Sequence, residues 1–308
     1  MAAIWIPKRL VEIGLVNTAA ENPQLFIDHC EIEYESRVQA AAREVLLQKR
    51  SIVMLTGPSA SGKTTTAHKL AQAIEKQGFY SCVVSLDNFF KNLDDYPRLA
   101  DGSKDYENID ALDVPQIKKC LSELLQTGHT LIPEFDFIVE RRKPEWTPLD
   151  LAGGVVVIEG IHAINPALTE GLERDKVYKI YAGLREEYSH RGQRVLATRD
   201  VRLARRMVRD HKFRGHSPEK TLSMWGNVCV GEDRFIKIFK PEADLLLDTS
   251  FSYEICCLAP LVTPLTRELP EDSHYAERLY ELAGTFSQCR PLDASLVPQT
   301  SMLREFLG

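Results

Sequence analysis

The sequence predicts an α/β fold, a parallel sheet with helices on both faces. Three observations point there. Short, wholly apolar runs such as Ser51–Thr56 (SIVMLT) and "VVVIEG" at 155–160 read as buried strands. Amphipathic helical stretches alternate with them. A glycine-rich turn joins the first run to the first of these helices, where α/β sheets bind ligands.

In chain order, residues 1–30 carry weak signals. "EIEYESRVQAAAREVLLQ" (31–48) places Val38, Ala41, Ala42, Val45 and Leu46 at helical spacing. After the 51–56 strand, "TTTAHKLAQAIEKQG" puts Ala67, Leu70, Ala71 and Ile74 on one face and stops at Gly78. Tyr80–Leu86 is a strand. Asp113 caps a helix with Pro115 in its first turn and Gly128 beyond its end. Val155–Gly160 and Val177–Gly183 are strands, helical patterns run from about 199 to 240, and Ala243–Leu247 is a last strand. Residues 251–308 read as a mostly helical tail. The expected division is a helical lead-in at 1–48, a core at 49–250 with a lid at about 199–216, and a C-terminal extension at 251–308 packed on the core.

The chain has 308 residues, 44% hydrophobic and 27% charged, with a net charge of -6. That balance suits a soluble globular protein and disfavours nucleic acid or an anionic membrane as partner. No apolar run reaches the roughly 18 residues of a membrane span. The N-terminus is interrupted by Lys8, Arg9 and Glu12, unlike a secretory signal. Seven scattered cysteines without a C-x-x-C pair read as reduced thiols in a cytoplasmic protein.

"GPSASGKT", comprising Gly57, Pro58, Ser59, Ala60, Ser61, Gly62, Lys63 and Thr64, fits G-x-x-x-x-G-K-[ST] between a strand and a helix, the context of a P-loop. The glycines let backbone N–H groups approach phosphate oxygens, and the helix adds its positive dipole end. Lys63 supplies charge near the β- and γ-phosphates, and the Thr64 hydroxyl can hold Mg²⁺. With the adjacent Thr65, this segment is the expected ATP cradle.

Glu159 ends an apolar strand at the carboxyl edge of the sheet, the place of a carboxylate serving Mg²⁺. Asp87, in "VVSLDNFF", stands at the end of the strand after the cradle helix. Transfer of a phosphoryl group to an alcohol needs a carboxylate to accept the hydroxyl proton, so Asp87 is the expected base, beside the metal. Phe89 and Phe90 are expected to exclude water and lie against the acceptor. "RLARRMVRDHKFR" (202–214) sets Arg202, Arg206 and Arg209 on one helical face, suited to phosphate oxygens. His162, just past Glu159, faces two readings, an acceptor contact or a structural histidine.

Taken together, "GPSASGKTT", "SLDNFF", "DGSKDYENIDALD", "IEGIHAINPAL", "RLARRMVRDHKFRGHS", "TLSMWGNVCVGED", "EADLLLDTSFSYE" and the terminal "TSMLREFLG" resemble the uridine kinase and phosphoribulokinase group of P-loop kinases, in the same order from about Ser51 to Gly308. The resemblance implies a P-loop NTPase fold with a helical lid, and ATP with Mg²⁺ as donor. It implies a nucleoside as the small-molecule acceptor, uridine or cytidine by default. Asp87 falls at the catalytic aspartate, Glu107 at the acid that holds ribose hydroxyls, and Glu159 at the acid near Mg²⁺. Arg206, Arg209 and Arg214 fall at the lid arginines that reach ATP phosphates. The chain departs at the nucleoside pocket. Phe90 and Phe135 stand where the family has tyrosines, Glu140 where it has a histidine and Met224 where it has a glutamine. Cys229 and Val230 replace a basic pair. Two other readings stay open: a kinase of a sugar, sugar phosphate or polyol, and a nucleotide-gated regulatory or binding protein. Homo-oligomerisation is left open as well.

Overall fold

The computed structural model describes residues 6–98, 102, 104–270 and 272–308. Residues 1–5 of the lead-in, and Asp101 and Ser103 of the quoted "DGSKDYENIDALD", lie outside the described residues. Five parallel strands form the central sheet, in the order Leu245–Asp248, Val177–Gly183, Ile52–Thr56, Val155–Glu159, Ser81–Ser85. The three central strands are buried along their whole length. That is why they read as continuous apolar runs rather than alternating ones.

Alternate residues of those strands serve opposite faces. Val53, Leu55 and Val157 join one apolar cluster with the helices Pro23–Leu47, Lys63–Glu75 and Glu254–Val262. Ile52, Met54, Val156 and Ile158 join the other, with Ile117, Leu121 and Leu124 of the helix Val114–Thr127. The caps of this last helix are as expected: the Asp113 side chain accepts from the Gln116 N–H, and Gly128 takes φ 78° beyond its end.

Several elements differ from expectation. The lead-in helix is longer, Pro23–Leu47, because Pro23 can open a helix eight residues before the apolar spacing becomes regular. Before it, Arg9–Glu12 forms a strand parallel to Glu186–His190, which pairs antiparallel with Gln193–Leu196. Ion pairs hold it there, from Lys8 to Glu187 (2.6 Å) and from Arg9 to Glu186 (2.8 Å) and Asp248 (2.9 Å). Such long-range pairings leave no local periodicity to read. The 199–240 region is two helices, Thr198–Arg214 and Pro218–Gly231, broken at Gly215 (φ 63°), followed by a π-turn at Glu232–Ile236. The tail is helical at Glu254–Val262, Ala276–Phe286 and Arg304–Leu307, with irregular links. Two short antiparallel pairs, His129–Ile132 with Thr147–Asp150 and Phe135–Asp136 with Arg141–Arg142, stand apart from the central sheet.

Candidate functional site

The phosphate loop sits between the strand Ile52–Thr56 and the helix beginning at Lys63. Two glycines are required there for different reasons. A Cβ on Gly57 would come 2.3 Å from the Ala182 carbonyl oxygen of the neighbouring strand. Gly62 takes φ 79°, and a Cβ on it would come 2.2 Å from Met302 Sδ. Ala60 also adopts a left-handed backbone, φ 59°. The Thr66 hydroxyl donates to the Gly62 carbonyl (2.7 Å) and contacts the buried Tyr34 hydroxyl (2.8 Å), fixing the first helical turn. Ser61 is buried and its hydroxyl has no partner. Lys63 is half-buried; Thr64 is exposed.

Glu159 lies beside the loop, in register with Leu55 on one side and Ser85 on the other. It is buried and accepts a hydrogen bond from Ser85 Oγ (2.8 Å). The same Ser85 oxygen accepts from the Asp87 backbone N–H (3.3 Å). One hydroxyl thus ties the two acids together, a role the sequence signalled only by placing Ser85 at the strand's end.

The Asp87 side chain is solvent-accessible, yet cleft walls surround it on most sides. Desolvation by those walls pushes its pKa up to about 6, and the Glu159 charge adds to the rise while Lys63 opposes it. Asp87, Glu159 and Lys63 therefore share one electrostatic neighbourhood at the sheet's carboxyl edge. Glu107 faces the same lysine. Desolvation raises its pKa, with Lys63 and Arg206 pulling it down. Its N–H donates to Asp105 Oδ1 (3.2 Å), and its side chain packs so closely on Gly231 that a Cβ there would come 2.7 Å from Glu107 Cβ.

A cavity of about 450 Å³ opens beside these groups, lined by Glu107, Arg206, Met224, Asn227, Arg234 and Phe235 among others. His162 lies behind it, buried, edge-on to Phe235 (ring centroids 6.2 Å apart). Neither His162 ring nitrogen has a side-chain or backbone partner at hydrogen-bond geometry, and burial pushes its pKa down to about 4, so the ring is neutral at pH 7.

The aromatic wall is only half as expected. Phe89 is buried in the core, because the short 3-10 turn Leu86–Phe89 rotates it under the sheet. Phe90 instead packs on Tyr96 (5.6 Å), Phe135 (5.8 Å) and the edge of the second core cluster, and Tyr96 feels the Asp87 charge. Arg142 holds this wall in place. Its guanidinium donates to the Phe90 and Phe89 carbonyls and pairs with Asp113, each at 2.9 Å. Glu140 is exposed at the tip of the Phe135–Arg142 hairpin with φ 54°, not buried in a pocket. A left-handed turn residue points outward there.

The basic helix Thr198–Arg214 is fastened to the phosphate loop. Arg202 donates to the Ser59 carbonyl (2.9 Å) and pairs with Glu232 (2.7 Å). Arg205, fully buried, pairs with Glu254 (2.5 Å) and donates to the Ala60 carbonyl (3.4 Å). Arg206 donates to Ser59 Oγ (3.0 Å). Of the three expected lid arginines, Arg206 alone hydrogen-bonds the loop. Arg209 pairs with Glu305 (2.8 Å), and Arg214 with the buried Asp210 (3.0 Å). Buried guanidiniums demand carboxylate partners: Asp210 supplies one from the same helix at i,i+4 spacing, while Glu232, Glu254 and Glu305 come from segments whose contact with this helix no local pattern announces.

Asp87, Glu159 and Thr64 offer hard oxygen donors. Mg²⁺ is held by one or two carboxylates together with substrate phosphates rather than by a full protein cage. Among the described residues no group of three or more His, Cys, Asp or Glu side chains is placed to hold a metal ion. No helix among them is long and apolar enough to cross a membrane.

Residues 52–179 match the model of the Phosphoribulokinase / Uridine kinase family, a span that holds the phosphate loop, Asp87, Glu107 and Glu159. The uridine kinase of Saccharomyces cerevisiae is 29% identical over 199 residues, 64% of this chain; the aligned part spans only 36% of the yeast protein's length. The uridine kinase of Lactobacillus helveticus is 27% identical over 202 residues, 65% of this chain and 87% of that protein. A solved structure described as a fructose transport system kinase from Silicibacter sp. TM1040 shares the fold at a TM-score of 0.50 and 19% identity, covering 68% of this chain and 98% of that one. Over residues 52–179 the chain is thus similar to the phosphoribulokinase / uridine kinase family.

Proposed function

We propose that the chain transfers the γ-phosphate of ATP to the 5′-hydroxyl of a nucleoside, with uridine or cytidine as the default acceptor. The observation that carries this reading is the shared neighbourhood of Lys63, Asp87 and Glu159, with Glu107 facing a cavity of about 450 Å³ alongside.

In this reading the 57–65 backbone, Lys63 and Arg206 bind phosphate oxygens. Arg209 and Arg214 supply further positive charge behind them. Thr64, Glu159 and Asp87 hold Mg²⁺, which neutralises charge on the phosphates when bound. Asp87 accepts the acceptor's hydroxyl proton, and its raised pKa suits a base working near neutrality. Glu107 orients the sugar hydroxyls, His162 adds a neutral ring beside them, and Phe90 and Phe135 flank the base. Glu140 reaches the acceptor only from the hairpin tip.

The test is a panel of acceptors scored by acceptor-dependent ADP release: nucleosides, sugars, sugar phosphates and polyols. Stimulation by pyrimidine nucleosides supports the reading. Stimulation by a sugar or polyol alone moves the acceptor class. ATP binding without any acceptor-dependent ADP formation points to a nucleotide-gated binding protein.

A further inference from the structure

The last helical turn, Arg304–Leu307, returns from the far end of the chain to the phosphate loop. Met302, just before it, occupies the space beside Gly62 that a side chain there would need. Glu305 then touches two parts of the site at once. Its Oε2 accepts from Thr65 Oγ1 (3.1 Å), in the first turn of the cradle helix. Its Oε1 accepts from Arg209 Nη1 (2.8 Å), on the basic helix. The Phe306 ring lies under the Arg209 guanidinium, 5.6 Å from it.

This turn is a fixed brace. Met302, Leu303, Phe306 and Leu307 are all buried, and the Ser301 hydroxyl donates to Glu31 (2.5 Å). Lifting the turn would return four apolar side chains to water, a large share of a domain's marginal stability. The Arg209 Nε, meanwhile, is buried without a hydrogen bond, with Asp210 Oδ1 4.0 Å away. The guanidinium is held by Glu305 at Nη1, by the Phe306 ring and by the nearby Asp210 carboxylate, which fixes its charge beside the cradle turn.

We propose that Glu305 is a positioning residue of the phosphate site: it holds Arg209 and the Thr65 turn in the geometry that receives the nucleotide's phosphates. The proposal rests on ATP occupying the 57–64 loop. A carboxylate near that loop makes opposite predictions under two roles. As a brace, its loss weakens ATP binding. As a negative charge repelling phosphate, its loss tightens it.

The experiment measures Mg-ATP binding by calorimetry, without acceptor, in the full chain and in Glu305→Gln, Glu305→Asp, Arg209→Gln and the Glu305→Gln/Arg209→Gln double variant. Glu305→Gln keeps an acceptor for Thr65 but loses the ion pair; Glu305→Asp keeps the charge but withdraws it by one methylene. Each single variant should weaken ATP binding about ten-fold, the scale of a charge-assisted hydrogen bond. The double variant should lose about ten-fold as well, not a hundred-fold, because both residues act through one guanidinium. Unchanged or tighter binding in Glu305→Gln, or fully additive losses, overturns the proposal. An unsubstituted chain that binds no ATP instead overturns the reading of the loop as an ATP site, and the proposal falls with it.

Discussion

The two sides of the cleft are built differently. On the phosphate side, a loop between a buried strand and a helix is gripped by Arg202, Arg205 and Arg206, and these are answered by carboxylates at Glu232, Glu254 and Asp210. On the side proposed for the acceptor, Phe90, Tyr96 and Phe135 come from short turns and a two-residue ladder, held by the single guanidinium of Arg142. Phe137, Ile138 and Val139 stand exposed at its hairpin tip. Phosphate recognition uses groups common to every nucleotide and tolerates a rigid frame. Acceptor recognition varies with the acceptor and rests on loops, where variation costs the core least.

The sharpest break in this comparison is at Asp87, where the two sides meet. Asp87→Asn should lower acceptor-dependent turnover by about 10²–10⁴-fold, the scale of a lost general base, while ATP binding measured by calorimetry stays within about three-fold. Equal losses in binding and turnover would move Asp87 to the phosphate side alone.

Gly62→Ala attacks the rigid side. It forces a side chain into a left-handed backbone and against Met302, so thermal or chemical unfolding should show a loss of about 2–4 kcal/mol. A stability within about 0.5 kcal/mol of the parent's would mean that Met302 yields freely.

Arg142→Ala attacks the acceptor side. It strips partners from the Phe89 and Phe90 carbonyls and from Asp113. The acceptor's KM should rise about ten-fold with the KM for ATP nearly unchanged, the cost of losing charge-assisted bonds on one side only. Parallel rises in both KM values would show that the two sides do not separate.

The effect that needs no substitution is in pH, and it is small within one unit of pH 6. Desolvation by the cleft walls, with the Glu159 charge adding to it, raises Asp87 to about 6, so the proton-accepting form is lost as pH falls through that value. kcat/KM for ATP should decline about ten-fold per unit below pH 6, and Asp87→Asn should remove that limb. The sign for folding is opposite to that of a salt-bridged acid. A carboxyl raised above its unfolded value of 3.8 favours the fold at low pH and loses that contribution as pH rises from about 4 to 6.

Much of the rigid side was legible because its information is contiguous. Gly57 to Thr64 spells the loop, and the runs on either side declare strand and helix. Glu159 and Asp87 were legible because each ends an apolar run. The acceptor side hid its parts. Phe89 and Phe90 look alike in sequence, and only the turn at Leu86–Phe89 sends one into the core and the other to the cleft. Arg142 sits among charged neighbours with no periodicity, and its three partners lie 29 to 53 residues away. Part of the rigid side was hidden for the same reason. Glu305 meets Arg209 across 96 residues, so the pairing of the basic helix with the C-terminal turn has no local trace.

The most direct measurement is a structure of the chain with Mg²⁺ and a non-hydrolysable ATP analogue. The account predicts the terminal phosphate at Lys63 and the Asp87 carboxylate facing it across a space that admits a hydroxyl group. A nucleotide seated on the 57–64 loop with Asp87 turned away from its terminal phosphate, or a terminal phosphate outside the reach of Lys63, contradicts it.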